Sequence, residues 1–97
     1  MTTLRFTSRA LADLDEIWTF VAQESEYAAD LLMEEFSAAL ERVLLFPHST
    51  PVLRRLAPRT VRRVNVRSWA VLYRLEGDAV LVLRVVHGGR DMRRFEL

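Results

Sequence analysis

A chain of 97 residues without cysteine is long enough for one folded domain, and it excludes disulfides and thiolate metal sites. Its hydrophobic fraction of 51% and charged fraction of 28% exclude a disordered chain. The sequence shows neither a signal peptide nor an apolar run long enough to span a membrane, so we predict one cytoplasmic domain over residues 1–97.

The net charge of +1 conceals two oppositely charged halves. Residues 1–46 carry three arginines and nine carboxylates, a net charge of −6, whereas residues 47–97 carry eleven arginines and four carboxylates, a net charge of +7. All fourteen basic residues are arginine, through either the codon usage of a GC-rich genome or selection for bidentate contacts to carboxylates and phosphates. This polarity favours two kinds of partner, one basic and one acidic.

The N-terminal half predicts a strand followed by two amphipathic helices. Residues 4–6 form a short apolar run typical of an edge strand, and residues 7–8 offer a helix N-cap. Apolar residues then recur at helical spacing from Leu11. Ser25 can cap a second helix, which should end at Phe46 because Pro47 disfavours a helical conformation at the residue before it. Helices joined so closely are expected to form an antiparallel hairpin.

The C-terminal half predicts a loop and then a sheet. Residues 47–60 contain all three prolines and predict a loop, with at most one helical turn at residues 53–56. Three further segments have the hydrophobic pattern of strands: residues 61–67, 68–75 and 79–87. We therefore predict an α+β fold in which an N-terminal strand precedes an antiparallel two-helix hairpin packed on a three- to four-stranded antiparallel sheet.

The sequence offers few candidates for catalytic chemistry. His48 and His87 lie in unrelated contexts, and no carboxylate cluster has the spacing of a metal site, so we expect neither a metal nor another cofactor. RNA cleavage is the enzymatic alternative, since His87 could exchange protons while Arg63 and Arg84 neutralise the phosphorane charge. His87 could equally be a strand-end histidine bonded to the backbone.

Four short motifs occur in order along the chain: ALADLDEIW at residues 10–18, FP at 46–47, VLYR at 71–74 and VVHGGRD at 85–91. Together they resemble the ParE/RelE toxin superfamily of type II toxin–antitoxin systems, over nearly the whole chain. The long helical hairpin and the terminal His-Gly-x-Arg-Asp run look like the ParE branch.

The resemblance implies a ParE-like toxin that inhibits DNA gyrase by binding, not by catalysis, and causes growth arrest until a cognate antitoxin neutralises it. The antitoxin would be ParD-like, a small DNA-binding protein whose disordered C-terminal segment orders on the toxin in a hetero-oligomer. No direct DNA binding by this chain and no membrane contact are implied.

Two alternatives remain open. RelE-like relatives cleave mRNA on the ribosome, but here Ala70 stands where they carry a mid-strand arginine, and Gly88 stands where some carry a tyrosine. The set of catalytic residues that the resemblance implies for a nuclease is therefore incomplete. The second alternative is a non-toxic or degenerate module that only binds an antitoxin.

Two sets of residues are predicted to contact partners. The antitoxin set combines two indoles, either of which could instead be core, with two strand arginines on otherwise apolar faces: Trp18, Trp69, Arg74 and Arg84. Arginines so placed must be paired, extended to solvent or available to a partner. The target set consists of arginines after the last strand, which could equally form a solubilising tail: Arg90, Arg93 and Arg94.

Overall fold

The computed structural model describes residues 2–56 and 59–89 of the chain. Its elements are, in chain order, β1 (Thr3–Phe6), α1 (Ser8–Ala22), α2 (Glu26–Leu45), β2 (Val52–Leu56), β3 (Arg59–Val66), β4 (Trp69–Glu76) and β5 (Ala79–His87). The predicted α+β fold is confirmed, because the N-terminal strand is present and the helical hairpin packs against a sheet.

The sheet has five strands in the order β1-β5-β4-β3-β2, one more than the largest number predicted, and it is mixed. β1 runs parallel to β5, with Thr3 opposite Ala79 and Phe6 opposite Val82. The other neighbouring strands are antiparallel. A parallel pair requires a long connection, which the helices and the three intervening strands supply.

The predicted loop over residues 47–60 contains a strand that sequence analysis missed. β2 pairs antiparallel with β3, with Val52 opposite Arg62, so the suggested helical turn at residues 53–56 is wrong. β2 lies at the edge of the sheet, where prolines beside the paired residues are tolerated. Leu53 packs against an apolar cluster of the sheet, and this tertiary contact favours the strand over the local loop signals.

Both helices begin at the residues that the sequence indicates. The side chain of Thr7 accepts a hydrogen bond from the N–H of Ala10 at 3.1 Å, and that of Ser25 accepts from the N–H of Ala28 at 3.1 Å. The Thr7 hydroxyl also donates to the carbonyl of Leu83 at 2.8 Å, which fastens the start of α1 to β5. α2 ends two residues before the proline that was predicted to stop it.

The helical hairpin buries an apolar face against the sheet. The core between the two layers draws on both helices and three strands: Ala10, Ile17, Leu32, Phe36, Ala39, Leu40, Val66, Val71, Val82 and Val85. Leu32 and Phe36 are buried as the helical pattern predicts, whereas Leu11 is 54% exposed. Ala10 and Ile17, two helical turns apart, face the sheet instead, which leaves Leu11 at the side of α1.

The other face of the sheet carries a second apolar cluster: Val61, Ala70, Leu72, Leu83 and Val86. β5 is thus buried on both faces along most of its length, as its nearly continuous apolar sequence predicts. Tyr73 in β4 is fully buried, and its hydroxyl is hydrogen-bonded to the Thr50 hydroxyl and the Pro47 carbonyl. These bonds fasten the α2–β2 connection to the middle of the sheet.

Candidate partner-binding surfaces

Arg84 in β5 is held by a carboxylate from α1. Its Nε and Nη2 donate to the two carboxylate oxygens of Asp13 at 2.8 and 3.1 Å, and Asp13 also accepts from the backbone N–H of Val85 at 2.9 Å. The two side chains are only 14% and 12% exposed. The hydrogen bonding of its guanidinium to Asp13 is the main reason that the pKa of Arg84 is raised above its ordinary value. Of the three fates predicted for this arginine, pairing within the chain is the one observed.

Arg67 forms a second bidentate ion pair, at the turn between β3 and β4. Its Nε and Nη2 donate to the Glu35 carboxylate of α2 at 2.6 and 2.7 Å. This hydrogen bonding is the main cause that raises the pKa of Arg67 and lowers that of Glu35. Arg67 has a φ of 53°, in the left-handed region that few residues other than glycine adopt. The backbone of the turn is therefore strained at the residue that binds α2 through Glu35.

Neither carboxylate partner was predicted from the sequence, because each lies more than thirty residues from its arginine. A signal for Asp13 does exist in the sequence. Asp13 lies three residues after Ala10 and four before Ile17, on the side of α1 that meets the sheet. A carboxylate at such a position needs a buried partner. Glu35 carries no comparable signal.

Arg74 is paired more weakly than Arg84. Its Nη2 lies 3.3 Å from Glu76 Oε2, two residues along the same strand, and the Glu76 side chain is 51% exposed. Such a pair exchanges easily with solvent or with an incoming carboxylate. Arg74 is opposite Val61 and Leu81 in the neighbouring strands, so it borders the apolar cluster on the face away from the helices.

The two tryptophans have different surroundings. Trp18 is half-buried, and its indole N–H donates to Asp30 Oδ1 at 2.9 Å, which links α1 to α2. Trp69 is also half-buried, at the start of β4, and its ring meets His87 edge-on with the centroids 5.7 Å apart. Trp69 borders the helix–sheet core as well. It is therefore the indole that links the core to the surface at the end of the sheet.

Two grooves meet at Trp69. One, of about 370 Å³, lies between α1 and the end of β5 and includes Ile17 and Phe20. The other, of about 320 Å³, lies between the hairpin and the β3–β4 turn and includes Val21 and Leu31. Phe20 and Leu31 are 67% and 38% exposed. Each groove is also bordered by one of the two bidentate ion pairs, Asp13–Arg84 in the first and Glu35–Arg67 in the second.

The end of β5 is held by a group of contacts that we call the β5 clasp, formed by Arg63, Ser68 and Gly88. The N–H of Gly88 donates to the Ser68 carbonyl at 2.7 Å, and Arg63 Nη2 donates to the Gly88 carbonyl at 3.2 Å. A Cβ atom at Gly88 would stand 3.0 Å from Arg63 Nη2 and 3.2 Å from the Ser68 carbonyl oxygen. A side chain at this position would therefore require the Arg63 guanidinium and the Ser68 carbonyl to shift by a few tenths of an ångström.

The residues predicted for RNA cleavage are only partly brought together. His87 and Arg63 line the same cavity beside Gly88, whereas Arg84 turns to Asp13. His87 Nδ1 accepts a hydrogen bond from the N–H of Gly89 at 3.2 Å. The backbone thus engages one of the two ring nitrogens of His87. Bonding of His87 to the backbone was the alternative that the sequence left open.

The predicted target contacts, Arg90, Arg93 and Arg94, lie outside the described residues. Within residues 2–56 and 59–89, no three histidine, cysteine or acidic side chains are grouped so that they could hold a metal ion. Neither helix in the described part of the chain combines the length and hydropathy that a membrane span requires.

Solved structures with this fold include one isolated bacterial toxin and two toxin–antitoxin assemblies. The chromosomal ParDE system of P. aeruginosa aligns with a TM-score of 0.73 and 19% identity, over 90% of this chain and 96% of that chain. The isolated RelE toxin of E. coli aligns with a TM-score of 0.61 and 18% identity, over 96% and 90%. The toxin–antitoxin complex RelBE2 of Mycobacterium tuberculosis aligns with a TM-score of 0.54 and 26% identity, over 89% and 96%.

No curated protein matches the sequence. A family model described as the ParE toxin of the type II toxin–antitoxin system parDE matches residues 4–92. The match includes both helices, β1 except for Thr3, β2 to β5, and the motifs on which the resemblance was based. The chain therefore belongs to the ParE toxin family of type II toxin–antitoxin systems.

Proposed function

We propose that this ParE-type toxin inhibits DNA gyrase by binding it, and that a ParD-like antitoxin from a neighbouring gene neutralises it. The observation that carries the proposal is the family match over residues 4–92, which spans the whole helical hairpin and sheet. One similar structure is described as a ParDE system and another as a RelBE2 complex, which supports an antitoxin as partner. Their likeness does not choose between gyrase and the ribosome.

The arrangement of the basic residues supports binding over catalysis. The nuclease site predicted from the sequence would place a histidine base and two guanidiniums around one phosphate. Here Asp13 holds Arg84, Gly88 and Asn65 accept from Arg63, and the backbone occupies His87 Nδ1. Each group already has a partner within the chain, so assembling a catalytic site would require several of these contacts to break.

The antitoxin is proposed to place an amphipathic helix in the grooves at Trp69. Phe20, Leu31 and Trp69 supply exposed or half-exposed apolar surface there, the kind of surface that such helices cover. Of the two strand arginines, Arg74 is the better anchor for an antitoxin carboxylate, because its contact with Glu76 is long and the Glu76 side chain is exposed. For Arg84, the same carboxylate would have to compete with Asp13.

Expression of the chain alone and with its neighbouring gene tests the proposal. We expect growth arrest only in the first case, inhibition of supercoiling when the purified chain is added to gyrase, and intact mRNA. His87→Ala should inhibit gyrase like the wild-type chain, with His48→Ala as the matched control.

Two outcomes would contradict the proposal. Cut mRNA on ribosomes, lost in His87→Ala but kept in His48→Ala, would establish the RelE-like activity instead. Normal growth without the neighbouring gene, together with unaffected supercoiling, would leave only the degenerate antitoxin-binding module.

A further inference from the structure

We propose that the cavity beside the β5 clasp binds a phosphate group, with Arg63 as its principal ligand. The cavity has a volume of about 360 Å³ and lies between the β3–β4 turn and the end of β5. That volume is within the range of about 300 to 1,000 Å³ that small-ligand sites occupy. The inference goes beyond the proposed function, which requires no phosphate on this chain.

The lining of the cavity is basic and polar, unlike that of the two grooves described above. Its walls include two arginines, an amide, a hydroxyl group and an imidazole: Arg63, Arg67, Asn65, Ser68 and His87. Within residues 2–56 and 59–89 no carboxylate lines it, whereas Asp13 and Glu16 line one groove and Glu35 lines the other. An anion that enters the cavity therefore meets no like charge at its wall.

Arg63 carries a charge that its own partners do not compensate. Its Nε donates to the amide oxygen of Asn65 at 2.7 Å and its Nη2 donates to the Gly88 carbonyl at 3.2 Å, and both acceptors are neutral. Arg63 is half-buried, and none of the described carboxylates pairs with it. Arg67 and Arg84 are each held by a carboxylate instead. A partly desolvated guanidinium without a counter-charge favours an anion beside it.

The two internal hydrogen bonds also hold the Arg63 guanidinium in place before a ligand binds. They use the Nε–H and one N–H of Nη2. Nη1 with two N–H donors, and Nη2 with one, are therefore not engaged by the described part of the chain. Such donors bind phosphate through charge-assisted hydrogen bonds, about twice as strong as neutral ones. A side chain that is already fixed loses little conformational freedom on binding.

Further donors border the same space. The Ser68 hydroxyl makes no hydrogen bond to the residues that the structure describes, and of the two ring nitrogens of His87 only Nδ1 is engaged by them. Arg67 binds Glu35 through Nε and Nη2, which leaves its Nη1. Donors on β3, on the β3–β4 turn and at the end of β5 thus surround one cavity. A phosphate group, with three or more acceptor oxygens, suits such a set better than a carboxylate with two.

Phosphate reaches a protein either as a small ion or as part of a nucleic acid, and two aromatic rings bear on the second source. Trp69 and His87 both line the cavity, and His87 is exposed. Bases of single strands stack on rings that stand beside basic groups. The ligand chemistry is the same for both sources, which differ in whether a neighbouring base adds affinity.

Arg62 provides a matched control in the same strand. Arg62 and Arg63 are neighbours in β3, so their side chains lie on opposite faces of the sheet. Arg62 Nη1 also donates to neutral acceptors, the carbonyls of His48 at 3.1 Å and Thr50 at 2.7 Å. Arg62→Ala thus removes the same charge and comparable hydrogen bonds at a place away from the cavity.

The experiment titrates the purified chain, released from its antitoxin, with inorganic phosphate and follows the backbone amide resonances of Gly88 and Gly89 by NMR. We expect saturable shifts at both amides, with a dissociation constant on the order of 1 mM. Arg63→Ala should raise this constant about tenfold, the effect of losing a hydrogen bond between charged groups, and Arg62→Ala less than twofold. Arg63→Lys, which keeps the charge but not the planar donor set, should lie between them. Circular dichroism reports the folding of each variant.

A short strand of oligothymidylate DNA distinguishes the two sources of phosphate. DNA lacks the 2′-hydroxyl, so the strand tests binding apart from the RNA cleavage of the nuclease alternative. Affinity at least tenfold above that of inorganic phosphate, lost in His87→Ala but kept in His48→Ala, would assign the site to a nucleic acid. Equal affinities would assign it to a free phosphate. Either result supports the phosphate site.

Three results would overturn the inference. Gly88 and Gly89 resonances that do not respond to phosphate would show that the cavity holds no anion. Equal weakening by Arg62→Ala and Arg63→Ala would show that phosphate responds only to the net charge of the chain. Glutamate that binds as tightly as phosphate would make the cavity a carboxylate site. Gyrase takes no part in these measurements, so failure of the proposed function leaves their result unchanged.

Discussion

The two helices are attached to the sheet by ion pairs of the same geometry in different surroundings. α1 contributes Asp13 to Arg84, with side chains 12% and 14% exposed, and a backbone N–H completes the coordination of the carboxylate. α2 contributes Glu35 to Arg67, with 29% and 65% exposed, on a turn of left-handed backbone. Two bidentate ion pairs with similar hydrogen-bond lengths should therefore differ in how much they stabilise the fold.

Burial, and not hydrogen-bond length, decides how much such an ion pair contributes to stability. When an exposed ion pair is broken, water solvates the remaining charge, so the loss of the pair costs little stability. A largely buried pair leaves an uncompensated charge and an unsatisfied donor when one partner is removed. We expect α1 to be fixed on β5, and α2 to depend more on its apolar face.

The largest effect is expected for Asp13→Ala. It leaves the Arg84 guanidinium and the Val85 N–H without their carboxylate, and should lower the free energy of unfolding by about 3 kcal/mol. Urea denaturation of the purified chain measures this. Asp15→Ala, an exposed position on the same helix, should change it by less than about 0.5 kcal/mol. Similar losses in the two variants would show that the buried pair is not distinctive.

The N-cap residues of the two helices should contribute less to the free energy of unfolding than the buried ion pair does. Thr7 both caps α1 and donates to Leu83 in β5, whereas Ser25 caps α2 without such a bond among the described residues. Thr7→Ala should cost about 2 kcal/mol and Ser25→Ala about 1 kcal/mol. Thermal unfolding compared with that of the wild-type chain gives both values. If Ser25→Ala proves the more harmful, α2 and not α1 is the helix anchored by polar contacts.

The smallest expected effect is on stability in acid, and it depends on Glu35. Its pKa is lowered from 4.5, mainly by the hydrogen bond from Arg67. Because the folded pKa is below the unfolded one, this pair stabilises the fold above pH 4.5 and loses that contribution as the pH falls through the lower, folded value. Melting temperatures measured from pH 7 to pH 3 should fall less steeply for Glu35→Gln than for the wild-type chain. Identical slopes would show that the exposed pair contributes nothing measurable.

Sequence patterns were sufficient where one local signal determined the structure. Ser25 caps α2, proline follows its end, and the apolar run of residues 79–87 is the buried strand β5. Local sequence patterns failed where contacts between residues that are distant in the chain determine the structure. β2 forms because Leu53 and the β3 partner are available, and no local signal shows that.

The candidate site was predictable in its residue types but not in their partners. His87 and Arg63 do lie beside one cavity, and Trp69 borders two grooves. Arg84 and Arg67 bind carboxylates of the helices, and these contacts depend on how the helices are rotated about their axes on the sheet. A helical pattern gives that rotation only approximately, as the exposed Leu11 shows.

The contact between Asp13 and Val85 has a consequence for the solubility of the toxin. β1 pairs with β5 only as far as Val82, and the N–H of Val85 lies farther along the same side of that strand. An uncovered strand margin is a template on which another chain can add a strand and begin to aggregate. By placing a carboxylate there, α1 occupies the donor that such a neighbour would use.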